Sequence, residues 1–153
     1  MSIGEPAPTT ADREIVSART FDAPRGAVFG AFSDPAVLAR WWGPNGFTST
    51  FHEFDFRPGG AWRFVLHGPD GTDHPTEKRF LDIAAPQLIR FRHVSSVHGF
   101  VMTMAFEAAG SGTLLTWTML FDSADEAAKV RAIILAANEE NFDRLAAQLA
   151  TLA

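Results

Sequence analysis

The sequence of 153 residues contains no cysteine and no tyrosine. Without cysteine the chain can form neither a disulfide, nor a thiolate nucleophile, nor a cysteine-based metal site. Without tyrosine, no phenol can act as a proton donor in a binding site. No apolar run approaches the roughly 20 residues that a membrane span needs, and residues 1–12 lack the basic flank and apolar core of a signal peptide. We therefore expect a cytoplasmic protein that has no membrane partner.

Positive charge is also scarce, because 13 lysine and arginine residues face 18 aspartate and glutamate residues, for a net charge of −5. Nucleic acids bind basic protein surfaces, so we expect no nucleic-acid partner. Hydrophobic residues make up 46% and charged residues 20% of the chain, as in ordinary globular domains. The proline-rich start predicts a flexible tail over residues 1–12, and the remaining residues, 13–153, are enough for one domain with its own core.

The longest regular pattern lies at the C-terminal end. Apolar residues recur at helical spacing over 124–153, and Ile134 and Leu145 belong to this apolar stripe. Ser123, with Glu126 three residues later, has the pattern of a capping box, which satisfies backbone N–H groups where a helix begins. Such a helix is roughly 40 Å long at about 1.5 Å per residue. It therefore needs an extended apolar surface on which to lie.

The residue pattern of the rest of the chain predicts an antiparallel sheet, which would supply that apolar surface. Apolar and polar residues alternate in several runs that short glycine- and proline-containing turns separate, which is typical of a meander. We expect an α+β fold in which a curved sheet of six to seven strands wraps around the long helix. The predicted strands cover 14–21, 47–56, 62–67, 76–83, 88–95, 100–106 and 113–121, and two short helices after the first strand cover 25–32 and 36–41.

Two long stretches, 21–44 and 54–71, resemble a known family. They contain Phe21-Asp22-Ala23-Pro24, Val28-Phe29-Gly30-Ala31-Phe32-Ser33-Asp34-Pro35, Leu38-Ala39-Arg40-Trp41-Trp42-Gly43-Pro44 and Phe54-Asp55-Phe56-Arg57-Pro58-Gly59-Gly60-Ala61-Trp62-Arg63-Phe64. The chain is similar over roughly 14–152 to the START-like (SRPBCC) proteins related to the C-terminal domain of the activator of heat-shock-protein-ninety ATPase. The resemblance implies the helix-grip fold of that superfamily. It implies no single activity, because its members include ligand carriers, cyclases and co-chaperone domains.

The space between a curved sheet and its helix predicts an internal pocket for a small hydrophobic or aromatic molecule. Two alternatives remain: an enzyme of the polyketide cyclase or hydrolase type, and a protein-interaction module like the co-chaperone domain. Methionine suits loosely specified apolar ligands, because its side chain adapts its shape. The candidate ligand-binding residues are Trp42, Trp62, Phe64, Leu66, His93, Met102, Met104, Trp117, Ile134, Asn138 and Asn141.

Some of these assignments depend on which side of its strand a residue occupies, and the sequence leaves this open. His93 can face the pocket or the solvent, and either Thr116 or Trp117 can face inward. Asn138 and Asn141 lie on the apolar stripe of the helix, where an amide without a hydrogen bond costs about 1–3 kcal/mol. They bond either to each other, to a strand carbonyl or to a buried water, or to a polar group of a ligand. If Asn141 serves a ligand, we expect Asn141→Leu to stabilise the free protein and weaken binding.

No pattern in the sequence assigns a catalytic or metal-binding residue. The five histidines show none of the close spacings typical of zinc sites, and no serine lies in a GxSxG nucleophile motif. No glycine-rich loop precedes a helix in the manner of a phosphate or dinucleotide site, so we expect no cofactor. His93, Glu107 and Arg90 are candidate acid–base groups if they face the pocket. We expect a monomer or a weak homodimer.

Overall fold

The computed structural model describes residues 10–95 and 98–152. A short 3-10 helix, Thr10–Arg13, leads into seven strands and three α-helices. The strands are β1 (Glu14–Phe21), β2 (Thr48–Phe54), β3 (Ala61–His67), β4 (Asp73–Ala84), β5 (Leu88–His93), β6 (Phe100–Ala109) and β7 (Gly112–Phe121). The helices are α1 (Arg25–Ser33), α2 (Pro35–Trp41) and α3 (Ala124–Ala150).

All seven strands form one antiparallel sheet in the order β1-β7-β6-β5-β4-β3-β2. Strands β2 to β7 follow one another as a meander, and β1 pairs with β7 at the far edge. The sheet is curved, and the two short helices follow β1, so the α+β arrangement expected from the sequence is confirmed. The side chains of the inner face, together with α1, α2 and one side of α3, form a single apolar core.

Helix α3 begins where the capping pattern predicts. The Ser123 hydroxyl accepts a hydrogen bond from the Glu126 backbone N–H at 3.3 Å, which satisfies one of the free donors of the first turn. The helix packs on β1 and β7 and also contacts α1 and α2. It ends at Ala150 rather than Ala153, and Thr151 closes the last turn by donating its N–H to the Gln148 carbonyl.

Strand β2 departs from the simple alternation of the sequence. A bulge lies between Phe51, which pairs with Phe64, and Glu53, which pairs with Arg63. The extra residue, His52, puts Phe51 and Phe54 on the same face, where their rings stack with centroids 5.9 Å apart. Strict alternation would have placed these two rings on opposite faces of the sheet.

The expected tail over residues 1–12 lies largely outside the described residues. Its last residues belong to the 3-10 helix, where the Arg13 guanidinium donates to the Phe121 carbonyl at 3.2 Å. Strand β5 ends at His93, two residues before the predicted end. No helix within 10–95 and 98–152 is both long and apolar enough to cross a membrane.

Candidate functional site

The inner faces of β6 and β7 supply most of the aromatic and methionine side chains of the core. On β6, Met102 and Met104 point inward with the phenylalanines that flank them. On β7, Trp117 is only 1% exposed, and the neighbouring Thr116 lies on the outer face. The structure therefore answers one question that the sequence left open: the tryptophan, and not the threonine, faces the core.

The eleven candidate binding residues divide into a buried group and a partly buried group. Leu66, His93 and Ile134 are partly buried, and Leu66 and Ile134 pack against the core from its margin. The buried members are Trp42, Trp62, Phe64, Met102, Met104, Trp117, Asn138 and Asn141.

Three tryptophans fill much of the space beside α2. The ring of Trp42 lies 5.1 Å from that of Trp62 and 5.6 Å from that of Trp117, measured between centroids. The apolar void beneath α1 and α2, which Leu38, Met104 and neighbouring aromatic residues line, measures about 10 Å³. This is about the space of one water molecule. A small aromatic molecule would therefore have to displace core side chains in this conformation.

Both asparagines of α3 have partners within the protein. Asn141 Oδ1 accepts a hydrogen bond from the backbone N–H of Gly43 at 3.2 Å. Asn138 Nδ2 donates to Ser17 Oγ at 3.2 Å and lies 3.6 Å from Met119 Sδ. The amides therefore bond within the protein, although to a loop N–H and a serine hydroxyl rather than to each other or to a strand carbonyl. The bond of Asn141 also reverses the expectation for Asn141→Leu, because leucine would leave the buried Gly43 N–H without its acceptor.

A residue that sequence reasoning missed lies in the middle of the aromatic cluster. Lys78 on β4 is only 5% exposed, and its position two residues before Phe80 places it on the core face. In the register of the sheet it lies between Trp62 on β3 and His93 on β5, and His93 in turn pairs with Phe100 on β6. The strand pattern of Thr76, Lys78 and Phe80 was the available signal for this placement.

Four aromatic rings surround the Lys78 ammonium group. Its Nζ atom lies 4.7 Å from the ring centroid of Phe91, 5.3 Å from that of Phe100 and 5.9 Å from those of Trp42 and Trp62. Such rings attract a cation through their negative faces. Within the described part of the chain, no carboxylate forms an ion pair with Lys78. The lysine is a buried amine surrounded by aromatic rings and one imidazole, with no carboxylate of the described residues paired to it.

Burial determines the proton affinity of this group and of its neighbour. It lowers the pKa of Lys78 to about 7, because the charged form loses its hydration. Burial also lowers the pKa of His93 to about 3, with smaller contributions from the charges of Lys78, His98 and Arg92. Lys78 Nζ lies 3.3 Å from His93 Nδ1. A neutral imidazole that carries its proton on Nε2 can accept a hydrogen bond from the lysine there.

Two tryptophans of the core and a serine of β2 have polar groups that lack a protein partner. Among the described residues, the indole N–H groups of Trp62 and Trp117 and the Ser49 hydroxyl are buried without a hydrogen bond. Buried donors normally find an acceptor, so each such group in a native structure needs an explanation. Two of the three belong to tryptophans that contact Trp42.

The three candidate acid–base groups separate into one inward and two outward residues. His93 lies on the core side of β5, where its ring stacks on Phe100 with centroids 4.8 Å apart. Arg90 lies on the other side of the same strand, where it donates to Asp82 and to the Thr103 hydroxyl. Glu107 is exposed near the end of β6. Only His93 of these three can therefore act within the core, beside Lys78.

A larger groove of about 560 Å³ lies along β2, β3 and β4, and its lining includes Glu53, Arg63, Val65 and Glu77. Its charged groups already have partners: Arg63 donates to Glu53, and Glu77 forms an ion pair with Arg79, which is not a lining residue. The groove therefore has fewer polar groups without partners than the core around Lys78.

A curved antiparallel sheet holding one long C-terminal helix, with an aromatic inner face, defines a helix-grip protein. Solved structures share this architecture. A protein from Nitrosomonas europaea has a TM-score of 0.85 at 17% identity, covering 96% of this chain and all 100% of its own. A protein from Arthrobacter aurescens has a TM-score of 0.85 at 24% identity, covering 98% of this chain and 93% of its own. These likenesses show the fold.

The chain belongs to the family described as Activator of Hsp90 ATPase homolog 1-like protein, whose model matches residues 22–153. The crystal structure of the AHSA1 protein from Silicibacter pomeroyi has a TM-score of 0.74 at 19% identity, covering 92% of this chain and 99% of its own. Among curated proteins, none matches the sequence. The family fold commonly binds hydrophobic ligands.

Proposed function

We propose that the protein binds a small hydrophobic or aromatic molecule between the inner face of the sheet and α3. The observation that carries this proposal is the pair of buried indole N–H groups, on Trp62 and Trp117, that have no acceptor among the described residues. Both rings lie in the same cluster as Trp42. A ligand with one acceptor atom and an apolar body would satisfy a donor and bury its surface against aromatic side chains.

The binding space has to open, because the apolar void beneath α1 and α2 measures about 10 Å³. Three methionines of the inner face, Met102, Met104 and Met119, are the side chains best suited to such a change, since an unbranched thioether moves between rotamers at low cost. Leu66 and Ile134, which are only partly buried, lie at the margin of the core. They would contact a ligand that enters from that margin.

The proposal also covers the domain organisation, the location, the oligomeric state and the partners of the protein. The protein acts as a single START-like domain over residues 13–153, in the cytoplasm, as a monomer or a weak homodimer. A net charge of −5 supports the exclusion of nucleic acid and anionic membranes as partners, because both attract basic surfaces. The lack of cysteine is in keeping with a reducing compartment.

A binding experiment with two neighbouring variants tests the proposal. Ile134 is partly buried against the core, whereas the preceding residue, Ile133, is 72% exposed. The probe is the fluorescent neutral amine N-phenyl-1-naphthylamine, titrated into the wild-type protein and into Ile134→Trp and Ile133→Trp. We expect Ile134→Trp to weaken binding by about tenfold or more, since the indole occupies the ligand's space, and Ile133→Trp to leave it unchanged.

Two results would overturn the proposal. One is the absence of probe binding to the wild-type protein, accompanied by no increase in thermal stability with other neutral aromatic compounds. The other is equal weakening by both variants, which would place the probe on the surface. The first result would favour the alternative of a protein-interaction module.

A further inference from the structure

We infer that the ligand of this site is an acid: an aromatic or apolar molecule whose anionic group, a carboxylate or an equivalent, binds Lys78. The inference rests on the proposed function, because it names the chemical class of the molecule that the inner face takes. It starts from a buried lysine for which the described residues supply aromatic rings and one imidazole.

The first step concerns the charge of the lysine. A buried charge is normally paired with an opposite charge, since its removal from water is unfavourable. The ammonium group of Lys78 lies among Trp42, Trp62, Phe91 and Phe100, at 4.7–5.9 Å from their ring centroids. No carboxylate of the described residues reaches it. An anionic group of a ligand would supply the missing counter-charge.

The second step concerns hydrogen bonding. An ammonium group has three donors, and the contact with His93 Nδ1 at 3.3 Å uses one of them. Trp62 pairs with Lys78 across β3 and β4, and its indole N–H is a further buried donor without an acceptor. A carboxylate has two oxygens that accept hydrogen bonds, so one such group could serve both residues. A neutral apolar ligand would leave these donors unpaired.

The third step concerns selectivity for an aromatic body. The rings of Trp42 and Trp62 lie 5.1 Å apart in an edge-to-face arrangement, and Trp62 stacks on Phe64 with centroids 4.7 Å apart. These flat surfaces lie next to the lysine, as an aromatic acid requires. A long-chain fatty acid would make less use of such rings, which favour flat partners.

The titration of the site follows from the groups that face Lys78. From β5 it is faced by His93, which stays neutral above its pKa of about 3. From β3, from β6 and from the residue after α2 it is faced by the aromatic rings of Trp62, Phe100 and Trp42. Arg92 and His98 act on His93 from further away, and each has its own carboxylate, Asp122 and Glu126 respectively. Among the groups that face it, Lys78 is therefore the one whose charge changes near pH 7.

A matched pair of probes tests the inference: 2-naphthoate and its methyl ester, which share one ring system and differ in the anionic group. Both are titrated into wild-type protein, Lys78→Met and Lys129→Met by quenching of tryptophan fluorescence at about pH 6. Lys129 is the only other lysine of the chain and lies exposed on α3. We expect wild-type protein to bind the acid about tenfold or more tighter than the ester. Lys78→Met should abolish that preference and leave ester binding within about twofold, and Lys129→Met should change neither.

A second measurement needs no variant. Affinity of the wild-type protein for 2-naphthoate should fall by up to about tenfold per pH unit above pH 7, as Lys78 loses its proton, and affinity for the ester should stay constant. Equal affinities for acid and ester, or equal weakening of both by Lys78→Met, would overturn the inference and leave the proposed function intact. Failure of both probes to bind would overturn the inference together with the proposed function.

Discussion

Lys78 occupies a position where its charge costs stability. Burial lowers its pKa from the usual 10.5 to about 7, so the unfolded chain binds more protons than the folded protein between these two values. The free energy of unfolding therefore rises with pH through this window. Below about pH 7 the lysine is charged in both states, and the folded protein carries the full cost of the buried cation.

Because the buried charge costs stability, a neutral side chain of similar length at position 78 should stabilise the protein. We expect Lys78→Met to raise the free energy of unfolding at about pH 6 by a few kcal/mol. The gain should shrink as the pH rises from 7 toward 10.5, because the wild-type lysine becomes neutral in that range. Urea unfolding at several pH values measures it, with Lys129→Met as the control. A gain that is independent of pH would show that folding does not lower the pKa of Lys78, and would contradict this account.

Asn141 shows how one buried hydrogen bond reverses a prediction made from sequence. Its amide oxygen accepts the hydrogen bond of the Gly43 N–H at 3.2 Å in the buried core. Asn141→Leu would bury more apolar surface, but it would also leave that N–H unpaired. We expect the free energy of unfolding to fall by about 1–3 kcal/mol.

A control for Asn141→Leu is available on the same helix. Gln148→Leu changes an amide whose hydrogen bond, to the Thr151 hydroxyl, is exposed. Its effect on urea unfolding should stay within about 0.5 kcal/mol. Greater stability of Asn141→Leu than of wild type would contradict the role given to Asn141 here.

The side of the sheet on which a side chain lies could be predicted from the sequence where apolar and polar residues alternate regularly along a strand. The inward positions of Trp62, Phe64 and Met102 follow from period-two alternation. The burial of Lys78 was harder to predict, because lysine is almost never fully buried. Its place depends on the rings that β3, β5 and β6 bring around it, and these pairings are non-local.

At the scale of elements, α3 holds the end of α2 through a small set of polar contacts. The Arg144 guanidinium donates to the carbonyls of Gly43 and Pro44, each at 3.0 Å, and to that of Arg40 at 3.2 Å. Asn141 binds the N–H of the same Gly43, so the helix contacts both sides of one residue. Gly43 has a φ of 111°, and a Cβ atom there would lie 3.1 Å from Leu66 Cδ1. Glycine is needed at this junction both for its backbone angle and for the close approach.

These hydrogen bonds predict that replacing Arg144 lowers the free energy of unfolding, by an amount that depends on the new side chain. Arg144→Met removes the charged donors from carbonyls at the end of α2 and should lower the free energy of unfolding by about 1.5–3 kcal/mol. Arg144→Lys should recover part of the loss, because one ammonium group cannot reproduce the planar fork of the guanidinium. Arg57→Met is the control, since the Arg57 side chain is 72% exposed. Equal stability of Arg144→Met and wild type in urea would contradict this account of the junction.

Element types could be predicted well, and element ends less well. The long helix, the two short helices and seven strands follow from hydrophobic periodicity and turn residues. The bulge at His52 could not be predicted, because the alternating residues of 47–56 fit a regular strand. Its position depends on packing Phe51 and Phe54 on the same side against β3, which is a tertiary effect.

At the scale of the whole molecule, the sheet and α3 enclose one core whose two ends differ in chemistry. Near α1, Phe29 and Phe32 pack on Phe106, so that end is apolar. At the opposite end of β4 and β5, Lys78 and His93 bring basic groups into the same core. The curved sheet and long helix expected from the sequence predicted an enclosed core, and the structure adds the difference in polarity between its two ends. An acid whose ring points toward the apolar end would fit this arrangement.

The central claim is that a small aromatic molecule binds inside the protein, and the methionine methyl groups test it most directly. Met102, Met104 and Met119 are each at most 5% exposed, and all three point from β6 and β7 into the core. Protein labelled with 13C at the methionine methyl groups is titrated with methyl 2-naphthoate and observed by NMR. The account predicts saturable shifts of these methyl resonances and nuclear Overhauser contacts from them to the naphthalene protons. Binding of the ester that leaves the three methyl resonances in place, or no binding, would contradict it.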